Sequence, residues 1–207
     1  MLFKRKCKIT FIAHGATIYT EENRICDKET HPPLNEVGQE EAVNIAEWIV
    51  KRSPKVDKIY SSSSLSCVQT ANAVAKEYQK DFEILPELYN QNFGIWKGLS
   101  FNEIEKKYPE MLEKYHEFPS GYAPDGGETL LEFGERVEKT INDIIEKNLG
   151  KRIVIVTHSN FIRAAIRNAI NTPIENQNRI FIPTGSATQI KYSEGWNILM
   201  YSGHVPV

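Results

Sequence analysis

Two apolar, β-branched runs in this 207-residue chain each end directly in a histidine. Residues 8–13 lead into His14 and Gly15, and residues 152–157 lead into His158. Such near-continuous apolar runs are typical of strands that are covered on both faces. Because sites in parallel α/β sheets form at the carboxyl ends of strands, we predict that both imidazoles lie at one edge of one sheet.

Helical patterns alternate with predicted strands along the rest of the chain. Further strands are expected at residues 56–60, 82–85, 187–192 and 196–201. Helices are expected from the N-cap Asn35 to about Arg52, through Val68 to Ala75, over 101–118 with a break at Pro109, over 128–149, and over 161–170. This alternation predicts an α/β three-layer sandwich, with a mostly parallel central sheet and helices on both faces. We expect a single domain over residues 1–207, with an insertion at about 100–127 that forms a lid.

Composition narrows the range of partners. The formal net charge is −2, and the Lys and Arg residues are spread along the chain, so we expect no nucleic-acid partner. The three cysteines show neither paired nor metal-ligand spacing and are expected to be reduced thiols. No stretch predicts a signal peptide or a membrane span, so we expect a cytoplasmic protein without a membrane partner.

Several motifs now become recognisable in chain order. Residues 11–17 (FIAHGAT) resemble an opening motif that usually reads Arg-His-Gly. Residues 33–42 (PLNEVGQEEA) resemble the block PLTxxGxxQA, and residues 61–71 (SSSSLSCVQTA) are similar to SSxLxRAxQTA. Residues 92–99 (NFGIWKGL) match xFGxWEGL, and GGET at 126–129, VTHS at 156–159 and GHV at 203–205 complete the set. Together these motifs resemble the histidine phosphatase (phosphoglycerate mutase-like) superfamily.

The resemblance implies phosphoryl transfer through a phosphohistidine, with His14 and His158 as the catalytic residues. Arginines and the second histidine then surround the phosphoryl oxygens, and a carboxylate protonates the leaving oxygen, which fits chemistry that depends on positioning and charge stabilisation. The positions that the resemblance assigns to substrate binding are Gly15, Thr17, Thr20, Arg24, Ser66, Asn90 and Ser159.

Three of the family positions are substituted by uncharged residues. Ala13 stands where an arginine normally precedes the nucleophile, and Ser66 falls at the second phosphate-binding arginine. Asn90 takes the place of the usual carboxylate, four residues before Gly94. Since a charge-stabilising arginine is worth about 10³–10⁵ in rate, we expect the loss of all three groups to leave phosphomonoesterase activity far below that of a working enzyme.

Three functions therefore stay open, and with them whether the chain is an enzyme. The one we favour is a phosphatase-fold protein that is impaired or repurposed and binds a ligand or partner through the old pocket. A second is an active phosphatase or mutase acting through phospho-His14, with cations supplied by Arg24, Lys97 or Arg163. A third is a different acid/base reaction of His14 and His158 on a less charged substrate.

The sequence and the resemblance also indicate which partners to expect. We expect a small-molecule ligand, phosphorylated or not, or a protein partner, and the resemblance allows a homodimer. Two facing histidines can bind a metal, but the sequence offers no clear third ligand, so no metal and no cofactor are expected. The alternative to any functional role is that both histidines are neutral, hydrogen-bonded core residues.

Overall fold

The computed structural model describes residues 5–26 and 31–206 and contains one six-stranded sheet in the order β3-β2-β4-β1-β5-β6. Its strands are β1 (Arg5–Ala13), β2 (Lys58–Ser61), β3 (Glu83–Ile84), β4 (Arg152–Thr157), β5 (Ala187–Ser193) and β6 (Ile198–His204). The first four strands pair in parallel, and β5 and β6 add to them antiparallel. The mostly parallel sheet predicted from the sequence is thereby confirmed.

Seven α-helices are described. They are α1 (Ile18–Glu21), α2 (Glu36–Arg52), α3 (Leu65–Tyr78), α4 (Phe101–Lys107), α5 (Pro109–Glu117), α6 (Leu130–Lys147) and α7 (Ser159–Ile170). Short 3-10 helices lie at Pro86–Leu88, Gly94–Trp96 and Ile174–Arg179. No α-helix in the described ranges combines the length and the apolar character needed to cross a bilayer.

The central strands are buried on both faces because their alternate side chains enter two different cores. Ile153 and Ile155 of β4 pack with α6 and α7, whereas Val154 and Val156 pack with α2 and α3. Successive side chains of a strand point to opposite faces, so a continuous apolar run is what a sheet covered on both sides requires. The helices therefore form the two outer layers of the predicted sandwich.

The lid region contains two helices with a core of their own. Pro109 occupies the first position of α5, where its missing N–H is tolerated, so the predicted break separates α4 from α5. Trp96, Ile104 and Tyr115 pack in a third buried cluster beneath these helices. That this segment closes over a pocket stays a prediction.

Two elements differ from their sequence predictions. The third strand is limited to Glu83–Ile84, two exposed residues at the sheet edge, because Pro86 begins a 3-10 helix directly after it. The short helix α1 was not predicted, since its four residues include none that is buried and are held by a capping box between Thr17 and Thr20.

We expect Thr129→Ala to lower the free energy of unfolding by about 1 kcal/mol, measured by urea denaturation. The Thr129 hydroxyl accepts the N–H of Glu132, and the Glu132 carboxylate accepts the N–H of Thr129, which caps α6. Thr129→Ser preserves both bonds and is the matched control. Equal stability of the Ala and Ser variants would contradict this account of the cap.

Candidate functional site

The two histidines lie side by side because β1 and β4 are neighbours in parallel register. Ala13 pairs with Thr157, and the next residue of each strand is a histidine. The N–H of His14 continues the ladder by donating to the Thr157 carbonyl at 3.0 Å. The imidazole centroids are 5.2 Å apart with the ring planes at 78°, and both side chains are buried. The predicted meeting of both rings at one sheet edge is therefore present in the fold.

The backbone fixes the tautomer of His14. Its Nδ1 lies 2.8 Å from the carbonyl oxygen of Gly15, and a carbonyl can only accept, so Nδ1 carries the hydrogen. In the neutral ring, Nε2 then bears the lone pair. A Cβ on Gly15 would lie 2.2 Å from the Gly38 carbonyl oxygen, so only glycine allows this loop to lie against α2.

His158 faces hydroxyl and thiol groups at the start of α3. Its Nε2 is 3.3 Å from Ser62 Oγ, 3.4 Å from Ser64 Oγ and 3.8 Å from Cys67 Sγ. Its Nδ1 is buried and has no hydrogen-bond partner among the described residues. Burial raises the pKa of the Cys67 thiol to about 12, which keeps it protonated near neutral pH. The groups within reach of Nε2 of the second imidazole are therefore polar but uncharged.

Both imidazoles are held in the neutral form. Burial lowers the pKa of His14, and the hydrogen bond to Gly15 offsets only part of that effect. Burial also lowers the pKa of His158 well below its ordinary value, and the charge of a protonated His14 acts in the same direction. Removing a charge from water in this pocket is costly for either ring, so both are neutral near pH 7.

The substituted positions add no charge to the pocket. Ala13 is buried in β1 and contributes only a methyl group. Ser66 lies in the first turn of α3, and its buried Oγ makes no hydrogen bond among the described residues. Asn90 donates from Nδ2 to the Cys26 carbonyl, and its buried Oδ1 has no partner in the described part of the chain.

Of the other predicted binding residues, Gly15 and Ser159 adjoin the histidines, whereas Thr17 and Thr20 form the cap of α1. Gly15 adjoins His14, where its N–H donates to the Thr70 hydroxyl, and Ser159 opens α7 directly after His158. Thr17 and Thr20 use their hydroxyls on each other's backbone in the cap of α1, and Thr20 is exposed. Among the hydrogen bonds of the described residues, none joins Thr17 or Thr20 to either histidine.

The guanidinium of Arg24 is bonded to two carboxylates. Its guanidinium donates to Glu22, to Glu103 at 2.7 Å and to the Gly98 carbonyl at 2.9 Å. These bonds tie the loop after α1 to the start of α4. Arg163, the other guanidinium considered, donates to the Ile180 carbonyl and to Asn160 Oδ1.

Arg136 is the cation that the sequence reasoning missed. It stacks on the Tyr89 ring at 3.5 Å, and its charge helps to lower the pKa of His158. All five of its N–H groups are used within the protein, two of them by the Glu128 carboxylate and three by the carbonyl groups of Glu87, Tyr89 and Asn90. No helical spacing signals this pair, because Glu128 lies before the N-cap of α6 and side chains on a helix pair at three or four residues apart.

Within residues 5–26 and 31–206, no three His, Cys, Asp or Glu side chains are grouped so that they could hold a metal ion. The two imidazoles can take part in hydrogen bonding and proton transfer, and His14 Nε2 can act as a nucleophile.

We expect the free energy of unfolding to fall as the pH is lowered from 7 towards 5. The unfolded chain protonates its histidines near their ordinary pKa of about 6.5, whereas the folded chain resists protonation of His14 and His158. The unfolded state therefore binds more protons in this range and is favoured by acid. Denaturation curves at several pH values measure the slope.

His158→Gln should flatten this pH dependence, because it removes one of the two buried groups. His116→Gln, at an exposed position of α5, is the matched control and should leave the slope unchanged. His14→Gln provides a second test at the other ring. Slopes that stay the same in both buried variants would contradict the assignment.

The sequence matches the histidine phosphatase superfamily (branch 1) over residues 9–202. It is 30% identical over 159 residues to a metal-independent phosphoserine phosphatase of Arabidopsis thaliana, covering 76% of this chain and 66% of that protein. It is 31% identical over 168 residues to phosphoglycerate mutase-like protein 4 of the same plant, covering 78% of this chain and 70% of the relative.

The fold agrees with these sequence matches. The alpha-ribazole phosphatase from Shigella flexneri superposes with a TM-score of 0.85 at 22% identity, covering 95% of this chain and 96% of the other. At that identity the superposition establishes a shared architecture. Since the family match extends over nearly the whole chain, this protein belongs to the histidine phosphatase superfamily.

Proposed function

We propose that this chain is a histidine phosphatase-superfamily protein whose pocket between His14 and His158 is impaired as a phosphomonoesterase and repurposed to bind a ligand. Its relatives, named as a phosphoserine phosphatase and a phosphoglycerate mutase-like protein, support a phosphatase- or mutase-type ancestry for the site. One observation carries the proposal. Ala13, Ser66 and Asn90 stand at the two arginine positions and the carboxylate position of the family pattern, all three are uncharged and buried, and both imidazoles are neutral.

The loss of these charged groups greatly lowers the expected rate of phosphoryl transfer. A charge-stabilising arginine contributes about 10³–10⁵ in rate, and a general acid contributes about 10²–10⁴. The asparagine amide at position 90 cannot protonate a leaving oxygen, and Ser66 can offer only one neutral hydrogen bond. These contributions are not additive, but the loss of any one of them already brings turnover far down.

The guanidinium groups with described contacts do not compensate for this loss. Every N–H of Arg136 is occupied by the Glu128 carboxylate or by backbone carbonyls. Arg24 is balanced by Glu22 and Glu103. Recruiting either group to a phosphate would break an ion pair that already satisfies it.

A second candidate is an active phosphatase acting through phospho-His14. The tautomer of His14 favours it, since the Gly15 carbonyl fixes the hydrogen on Nδ1 and leaves the lone pair on Nε2 for attack on phosphorus. This candidate needs cations to cradle the transferred group. We rank it second because the guanidinium groups of Arg24, Arg136 and Arg163 are bonded to other groups of the protein.

We expect the wild-type protein to hydrolyse 4-nitrophenyl phosphate at no more than about one thousandth of the rate of a working family member, and to trap no phosphohistidine. Restoring Ala13→Arg, Ser66→Arg and Asn90→Glu together should raise turnover by about 10³-fold or more. Steady-state assays measure turnover, and ³²P labelling quenched in alkaline detergent, which preserves the acid-labile P–N bond, measures the phosphohistidine.

His14→Ala in the restored background is the control, because it removes the nucleophile and leaves the new charges in place. Activity that survives this change would come from a contaminant or from another site. Efficient turnover by the wild-type protein that disappears in His14→Ala would overturn the proposal in favour of the active phosphatase.

A further inference from the structure

A cavity of about 480 Å³ lies on the α6 and α7 face of the sheet. It is lined by α6, by the second half of α7, and by the end of β5 with the turn that follows. Ser193, at the end of β5, pairs with Arg5, which is at the other end of β1 from His14. The cavity is therefore separate from the histidine pair, and its volume is in the range of small-molecule sites.

The floor of this cavity is apolar. Val137, Ile141 and Ile145 of α6 follow one another at four-residue intervals, and Ala165 and Ala169 of α7 face them. All five belong to the core cluster on that side of the sheet. An alkyl chain lying on this floor is removed from water, which favours its binding.

Two exposed carboxylates line the same cavity. Glu138 and Glu146 are eight residues apart on α6, so their backbone positions are about 12 Å apart along the helix axis. The described lining residues include no Lys, Arg or His. Among the described residues neither carboxylate forms a salt bridge. Arg167, whose pKa is lowered by burial and raised in part by the charge of Glu138, lies outside the lining and donates to Asn168 Oδ1. The lining is therefore negatively charged.

Tyr192 adds a hydroxyl that the protein leaves without a partner. The residue is only 7% exposed and lines the cavity, yet its hydroxyl makes no hydrogen bond to any described residue. Burial raises the pKa of this phenol, so the group is neutral and its oxygen can accept a hydrogen bond. Because buried polar groups are normally satisfied, this hydroxyl indicates a ligand with a polar group at the cavity wall.

We propose that this cavity binds an aliphatic amine with two ammonium groups about 12 Å apart. The alkyl chain lies on Ile141 and Ile145, the ammonium groups pair with Glu138 and Glu146, and the Tyr192 hydroxyl accepts an N–H from one of them. An anionic ligand would meet two carboxylates that no lining cation offsets. The site involves neither histidine, so the inference does not rest on the proposed function.

Three probes of equal chain length test the ligand class. Octamethylenediamine is a dication at neutral pH, octanediol is uncharged, and suberate is a dianion. Titrations followed by backbone ¹H–¹⁵N resonances of the full chain give dissociation constants and locate the site. We expect the diamine to shift Ile141, Ala169 and Tyr192 and to bind about fivefold or more tightly than the diol, whereas suberate should shift none of them.

Chain length tests the spacing of the two carboxylates. Putrescine carries the same two charges on half the number of methylene groups, so it cannot reach both Glu138 and Glu146. We expect it to bind about threefold or more weakly than octamethylenediamine. Equal affinity of the two diamines would contradict the proposed pairing of one ammonium group with each carboxylate.

Variants at the lining separate the charge of the cavity from overall charge. Glu138→Gln and Glu146→Gln should each weaken diamine binding by about threefold or more. Glu135→Gln makes the same change in net charge at an exposed position of α6 outside the cavity and should leave binding unchanged. Tyr192→Phe removes only the hydroxyl and should weaken binding by about threefold or more.

The inference is overturned if octanediol or suberate binds as tightly as octamethylenediamine, or if the diamine shifts resonances only outside the cavity. Equal losses in Glu135→Gln and in the two cavity variants would also overturn it, since they would show an effect of overall charge. None of these outcomes bears on the proposed function, which is tested by hydrolysis of 4-nitrophenyl phosphate through His14.

Discussion

The parallel pairing of β1 with β4 forces two imidazoles into contact in a place where neither can easily carry a charge. Register alone sets their separation at 5.2 Å, because each histidine follows the last paired residue of its strand. Burial then lowers both pKa values, and the charge of a protonated His14 lowers that of His158 further. Every other group at this sheet edge must accommodate two neutral rings, and the hydroxyls at the start of α3 do so with hydrogen bonds.

This backbone origin explains how the histidines can persist without the arginines of the family pattern. His14 is positioned by its own N–H on Thr157 and by its Nδ1 on Gly15, and neither contact involves a cation. The close approach of Gly15 to Gly38 locks the same loop against α2. The geometry of the pair is therefore independent of phosphate binding, so substitution at positions 13, 66 and 90 removes charge without dismantling the scaffold.

The sequence predicted those parts of the structure that depend on local pattern. The strands before His14 and His158 and the helix capped by Asn35 follow from periodicity and capping, and all three are present. The sequence could not predict which cation pairs with which carboxylate, because that pairing depends on distances in the folded structure. Arg24 bonds to Glu22 and Glu103, whereas Arg136, far along the chain, donates to the Asn90 carbonyl.

The position of Arg136 shows why counting cations in a sequence does not measure the electrostatics of a pocket. Its guanidinium is close enough to lower the pKa of His158, yet its hydrogen-bonding capacity is spent on Glu128 and on the backbone before Asn90. It therefore disfavours a protonated imidazole without offering a bond to an anion. A site with this character stabilises neutral rings.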